Sequence, residues 1–194
     1  MDTKIDFKNP EFYENRELSW IKFDNRVLSE ARDKSIPLLE RLKFVSITSS
    51  NLDEFFMVRV ASLLDMVHAN YKKRDIAGMT ATEQLAAINK ETRELVDTQY
   101  STYTRSLVPL LNKEGIYLVD EHETLTDEQA AFVDRYFMES VYPVLTPMAV
   151  DASRPFPLIR NKTLNIAALL SSKQNSKETV FATVQVPGVL PRLV

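Results

Sequence analysis

Apolar residues recur at three- and four-residue spacing in four successive stretches of the first half of the chain, which is typical of amphipathic helices. The first stretch predicts a helix over about residues 19–32, with an apolar face formed by Trp20, Phe23, Val27, Leu28 and Ala31. The second begins at Pro37, whose missing N–H is tolerated in the first turn of a helix, and weakens at residues 48–50.

The third and fourth helices each begin at a predicted cap. Ser50 is a candidate N-cap with Asp53 three residues later, and Thr80 with Glu83 forms the same pattern before a periodic stretch that extends to Leu107. Four helices of this kind predict an antiparallel bundle.

The pattern changes after Gly115. Residues 116–119 are expected to form a short strand, and Thr126 is expected to cap a helix that ends near residue 141. Residues 163–170 and 179–186 then predict paired strands around a polar turn at residues 171–177. The fold class is therefore α+β, with a helical domain over residues 1–109 followed by the first part of an α+β domain over residues 110–194.

Composition and charge exclude several classes of protein. Hydrophobic residues make up 44% and charged residues 26%, and there is no cysteine for a disulfide, a thiolate nucleophile or a cysteine zinc site. Residues 143–194 carry six basic and two acidic side chains, which leaves residues 1–142 with 18 and 25, a net charge of −7. We therefore expect no nucleic-acid partner, because phosphate contacts need clustered Lys and Arg.

The apolar stretches are too short to cross a bilayer, and residues 1–6 contain acids and no apolar segment typical of a secretory signal. We therefore expect a cytoplasmic protein without a transmembrane segment. The three glycines, at 78, 115 and 188, are too far apart for a glycine-rich phosphate loop. His68 and His122 are interpreted as surface residues, and no metal site is predicted in this chain.

The densest group of chemically versatile side chains lies in residues 49–59. On a helix, Asn51, Phe55 and Arg59 are four residues apart, so an amide, an aromatic ring and a guanidinium share one side. Such a side could hold a nucleotide base, with Asn51 hydrogen-bonding its edge and Phe55 contacting its face. Alternatively, the helix start could attract an anion. The structural alternative is that Asn51 and Asp53 cap the helix, Phe55 is core, and Arg59 pairs with Glu54 or a neighbouring helix.

Several motifs resemble the N-terminal domain of the polyphosphate kinases that work through a phosphohistidine. They are Glu17-Leu18-Ser19-Trp20, Phe23, Arg26-Val27-Leu28, Pro37-Leu38, Glu40-Arg41, Asn51-Leu52-Asp53-Glu54-Phe55 and Val58-Arg59. The resemblance is strongest from residue 17 to about residue 65. It implies a helical N-terminal domain, a head domain involved in dimer contacts, and two later domains of phospholipase D-like fold that carry the catalytic histidines.

The resemblance also implies a function. These enzymes reversibly transfer the terminal phosphate of ATP to polyphosphate with Mg²⁺, so ATP or ADP, polyphosphate and a second copy in a homo-oligomer are the expected partners. It implies that Asn51 contributes to the adenine side of the ATP site, whereas the helix-start argument favours the phosphates. Phe55 and Arg59 are possible neighbours in that site.

The catalytic histidines and the magnesium ligands are expected beyond Val194. We therefore expect the chain to be the N-terminal part of a larger kinase and to be inactive alone. The main alternative is a free-standing helical interaction or regulatory module; a helix-turn-helix DNA binder is disfavoured by the acidic first part.

Overall fold

A computed structural model of the chain describes residues 6–119, 121–150, 156–171 and 179–194. It divides into two compact units, Met1–Leu118 and Val119–Val194. The first is helical, and the second combines a helix with a three-stranded antiparallel sheet. The α+β fold class, with a helical bundle first, is therefore confirmed.

The first unit is built from two long helical rods and the helix that precedes them. The α-helices are α1 (Arg16–Arg32), α2 (Leu38–Phe55), α3 (Ala61–His68), α4 (Ala81–Thr102) and α5 (Val108–Lys113). One π-helical segment, Phe56–Val60, joins α2 to α3, and a second, Tyr103–Leu107, joins α4 to α5. The expected domain boundary at residues 109 and 110 falls inside α5, and the domain ranges stay a prediction.

The expected interruption at residues 48–50 is wrong, because α2 passes through it and Ser50 lies in mid-helix instead of at an N-cap. The hydroxyl groups that weaken a helix in isolation are satisfied here. Thr48 Oγ1 donates to the Phe44 carbonyl at 2.9 Å, and Ser49 Oγ accepts from Gln99 Nε2 of α4 at 2.7 Å. Tertiary packing therefore overrides local propensity at this point.

Helix α1 faces the core with a stripe that is rotated relative to the predicted one. Its buried residues are Glu17, Ile21, Asp24, Leu28 and Ala31. Phe23, expected on the apolar face, is 45% exposed. The helix starts at Arg16 because Asn15, itself buried, accepts hydrogen bonds from the N–H groups of Glu17 and Leu18.

Asn15 also fixes α1 against the segment that leads into α4. Its Nδ2 donates to Asp75 Oδ2 at 2.6 Å and to Gln84 Oε1 at 2.9 Å. Helix α4 begins as predicted, since Thr80 and Glu83 form a reciprocal capping box. These contacts hold the first turn of α1 in place.

Gly115 ends the second rod. It has a φ of +79°, and its N–H bonds to Asn112 O while the N–H of Ile116 bonds to Leu111 O, which is the pattern of a Schellman C-cap. Residues 116–119 are exposed and form no strand, so that expectation is wrong. A strand needs a hydrogen-bonded neighbour, and Ile116 donates to the preceding helix instead.

In the second unit, α6 (Asp127–Tyr136) begins with the predicted capping box of Thr126 and Gln129 and continues as a π-helical segment, Phe137–Val141. The strands are β1 (Pro147–Val150), β2 (Asn165–Ser171) and β3 (Thr179–Gln185), in the order β1-β3-β2. Strands β2 and β3 pair as predicted, whereas β1 was missed. Their pairing is antiparallel, with Ala168 opposite Ala182. The predicted turn at 171–177 lies almost entirely outside the described residues.

Candidate functional site

Three side-chain contacts form a row between α1 and the rod that consists of α2 and the π-helical segment after it. The first contact described here, in the middle of the row, joins two aromatic rings. Trp20 stacks on Phe55 with ring centroids 4.4 Å apart and an interplanar angle of 6°. Phe55 is 2% exposed. The ring therefore belongs to the core, as the structural alternative predicted, and this burial does not support Phe55 as a contact to a base.

The second contact joins Asn51 to a buried acid. Asn51 is half-buried, and its Nδ2 donates to Asp24 Oδ1 at 2.8 Å. An ionised carboxylate only accepts hydrogen bonds, so this contact orients the amide with its nitrogen toward Asp24. Among the described residues, Asn51 makes no other side-chain hydrogen bond, which leaves Oδ1 and one N–H as an adjacent acceptor and donor.

Asp24 is 0% exposed, and its Oδ2 has no hydrogen-bond partner among the described residues. Burial raises the pKa of this carboxyl group, and the hydrogen bond from Asn51 opposes that rise. Burial of a carboxyl group costs free energy unless the group is hydrogen-bonded, so the contact with Asn51 offsets part of that cost. Asp24 therefore positions the Asn51 amide.

The third contact is an ion pair at the π-helical segment between α2 and α3. Arg59 Nη1 lies 3.1 Å from Glu17 Oε2, and Glu17 is 5% exposed. The other carboxylate oxygen of Glu17 accepts from Arg16 at 2.7 Å. The charge of Arg59 is thus largely used to neutralise a buried glutamate of the neighbouring helix, which was the structural alternative.

Asn51, Phe55 and Arg59 do share one side of the helix, and that side faces α1. The sequence reasoning missed Asp24 and Glu17, the acids opposite Asn51 and Arg59. A signal for them existed, because both acids fall at helical spacing from Leu28 and Ala31, within the stripe that is buried. The helix-start argument for an anion fails at Asn51, since α2 begins at Leu38.

Neither histidine takes part in this site. His68 is exposed at the end of α3, and His122 is exposed in the second unit with Nε2 3.1 Å from Asp134 Oδ1. Across the described residues, no three His, Asp or Glu side chains are grouped so that they could hold a metal ion. No helix of this part of the chain is both long and apolar enough to span a membrane.

Family models match nearly the whole chain. Residues 13–119 match the polyphosphate kinase N-terminal domain, and residues 128–194 match the polyphosphate kinase middle domain. The chain belongs to the polyphosphate kinase family. The resemblance seen in the motifs is therefore confirmed.

Relatives agree with this assignment. The chain is 53% identical over 190 residues to a polyphosphate kinase of Lactiplantibacillus plantarum and 49% identical over 191 residues to one of Halalkalibacterium halodurans, covering 98% of this chain in each case. The crystal structure of polyphosphate kinase from Porphyromonas gingivalis superposes with a TM-score of 0.76 at 32% identity and covers 93% of the chain. The chain spans about a quarter of these proteins, 26%, 27% and 27% of their lengths respectively.

The polyphosphate kinase N-terminal domain match contains the whole row of contacts between α1 and α2. The middle domain match contains α6 and the three strands. The candidate site therefore lies within a single domain of this family.

Proposed function

We propose that this chain supplies the adenine side of the ATP site in an enzyme that reversibly transfers the terminal phosphate of ATP to inorganic polyphosphate through a phosphohistidine. The observation that carries the proposal is the Asn51 amide, which is anchored by a buried carboxylate and has an acceptor and a donor left for a ligand. The edge of adenine offers the complementary donor and acceptor side by side. The family of the relatives is the second support.

Arg59 is proposed as a neighbour of the site and not as a direct ligand, since its guanidinium is paired with Glu17. Phe55 contributes by packing. Stacked on Trp20, it holds α1 and α2 together so that Asp24 faces Asn51. We propose Asp24 as a residue that positions the Asn51 amide.

Other parts of the proposal concern the whole protein. We propose that it requires Mg²⁺, acts as a homo-oligomer, has no nucleic-acid partner and is cytoplasmic. Mg²⁺ would shield phosphate charge during transfer, and the described residues contain no cluster of three His, Asp or Glu side chains that could hold a metal ion. Neither His68 nor His122 is proposed as the phosphate acceptor, and the chain alone is proposed to be inactive.

A free-standing interaction module is the weaker candidate. The relatives that match along 98% of the chain are kinases, and none of the described contacts favours a module without catalysis.

The test is Asn51→Ala in the protein as its gene encodes it, with ATP affinity measured by calorimetry. Loss of a base hydrogen bond should weaken binding by about 1–3 kcal/mol, roughly five-fold to a hundred-fold. The melting temperature must be measured as well, because the variant also removes the donor to Asp24.

Gln99→Ala is the matched control. Gln99 is a buried amide that, like Asn51, ties two helices together, through Val45 O at 2.9 Å and Ser49 Oγ at 2.7 Å. It should lower stability similarly and leave ATP affinity unchanged. Equal losses of ATP affinity in both variants would mean that Asn51 acts only through the fold.

A further inference from the structure

A basic cleft of about 580 Å³ lies at the opposite end of α2 from Asn51. It is lined by the last residue of α1 and by Lys34 in the loop that follows, by Arg41 of α2, and by the face of α4 and its π-helical extension that includes Ser101 and Arg105.

The charge of the cleft is opposite to that of its surroundings. Four cations, Arg32, Lys34, Arg41 and Arg105, line it together with one carboxylate, Asp97, for a formal charge of +3. Residues 1–118, the helical unit that contains the cleft, hold 17 basic and 18 acidic side chains, so this unit outside the cleft has a net charge of −4. Four cations gathered at one place repel one another, so an anionic ligand would relieve that repulsion.

Three of these cations have no carboxylate partner. Within the described parts of the chain, Arg32, Lys34 and Arg105 form none of the ion pairs. This distinguishes them from Arg59 and Arg74, which pair with Glu17 and Glu83. Their charges are thus available to a ligand.

The fourth cation is built into the fold. Arg41 is 5% exposed, its Nε donates to Ala31 O at 2.8 Å, and its Nη2 lies 3.4 Å from Ser106 Oγ. Its Nη1 makes no hydrogen bond with any described residue and is not among the fully buried unpartnered atoms. The guanidinium is therefore fixed by its contacts with Ala31 and Ser106, while Nη1 is left without a protein partner among the described residues.

The lining selects among anions. Arginine forks and hydroxyl donors such as Ser101 suit phosphate oxygens. No aromatic ring lines the cleft, so it lacks the stacking surface on which single-stranded nucleic acids and nucleotide bases rest. The combination favours a chain of phosphates without bases.

We propose that this cleft binds a linear inorganic phosphate chain, at a site separate from the one proposed for the nucleotide. Arg41 and Asn51 are ten residues apart on α2, which corresponds to about 15 Å along the helix. The inference goes beyond the proposed role of Asn51 and does not depend on it.

The experiment titrates the 194-residue chain with sodium tripolyphosphate in low-salt buffer by calorimetry. Arg32→Gln and Arg105→Gln each remove one exposed cation and should weaken binding about ten-fold, the loss of one charge-assisted contact. Arg41 is left intact, because its bond to Ala31 O stabilises the fold. Fluorescence of Trp20 verifies folding of each variant.

Arg26→Gln is the matched control, since Arg26 is also exposed on α1 but lies over the ring of Phe23, outside the cleft. It should change tripolyphosphate affinity less than two-fold. Amide shifts in nuclear magnetic resonance spectra should concentrate in residues 97–106, and ATP should bind this cleft no more tightly than tripolyphosphate.

Absence of saturable binding would overturn the proposal, as would a loss in Arg26→Gln equal to that in Arg32→Gln, which would indicate diffuse attraction. Orthophosphate binding as tightly as tripolyphosphate would also overturn it, because the site would then hold only one phosphate. Asn51→Ala should keep full tripolyphosphate affinity, so this result and the nucleotide test can fail separately.

Discussion

Leucines in the two units of this chain occupy opposite environments. In the helical unit, Leu28 and Leu95 are at most 1% exposed within a continuous core, whereas Leu169 of strand β2 is 76% exposed. In the second unit, the described buried residues are Ala182 and Thr183 of the central strand. Correct secondary structure therefore does not by itself produce a core; stacked layers must bury the apolar faces.

The difference has a topological origin. The helical unit packs helices against one another on several sides, so each apolar stripe finds a partner. The three-stranded sheet has one central strand, β3, and every residue of β2 except Asn165 is exposed. Apolar faces of this kind are surfaces at which another layer would gain hydrophobic stabilisation.

The largest expected effect comes from matched leucine truncations. Leu28→Ala should lower the free energy of unfolding of the helical unit by about 2–5 kcal/mol, because it leaves a cavity. Leu169→Ala should change stability by no more than about 0.5 kcal/mol. Urea unfolding of the chain, followed by Trp20 fluorescence for the first unit and by circular dichroism for both, measures the difference.

Trp20 is the single tryptophan, so its signal reports on the helical unit alone. If Leu169→Ala lowered the free energy of unfolding as much as Leu28→Ala, the proposed difference between the two units would be contradicted. It would mean that β2 is covered in solution, and the concentration dependence of unfolding would then identify self-association.

A smaller loss of stability is expected when alanine replaces Gly115, and none when it replaces Gly188. Gly115→Ala should cost about 1–2 kcal/mol, because the residue has a φ of +79° and an added Cβ would meet nothing within 4 Å, so the penalty is one of backbone conformation alone. Gly188→Ala in the second unit has equal space without a left-handed φ and should be neutral or slightly stabilising. Thermal unfolding of both variants provides the measurement, and equal costs would contradict the assigned role of the helix C-cap.

The smallest expected effect is a pH dependence confined to the helical unit. Burial raises the pKa of Asp24, so the folded protein binds more protons than the unfolded one between about pH 3.9, the ordinary aspartate pKa, and the raised value. The stability contributed by this group is therefore present below that window and is lost as the pH rises through it.

Asp24→Asn removes this titration and keeps an oxygen that can accept from Asn51. We compare the free energies of unfolding of the unchanged chain and of Asp24→Asn at each pH. The value for the unchanged chain minus that for the variant should fall as the pH rises through the window and then stay constant. Asp33 and Glu83, whose pKa values are lowered by hydrogen bonds from Ser35 and Thr80, are common to both proteins and cancel. A difference that rises with pH would show that the hydrogen bond from Asn51 outweighs burial.

Local signals in the sequence determined the helix starts at Thr80 and Thr126, the interruption at Gly115 and the pairing of β2 with β3. The helix signals depend on residues a few positions apart, and the strand pairing joins two segments close together in the chain, so side-chain chemistry and chain geometry suffice. The motif around Asn51 likewise indicated the family, and its spacing put Asn51, Phe55 and Arg59 on one side of a helix.

Only the tertiary structure decided what that side faces and which helices are continuous. The hydroxyl-rich stretch at residues 48–50 stays helical because Gln99, fifty residues away, bonds to Ser49. Asp24 lies opposite Asn51, and Phe55 is buried on Trp20, because α1 packs antiparallel to α2. Such pairings depend on long-range packing free energy, which local periodicity does not encode.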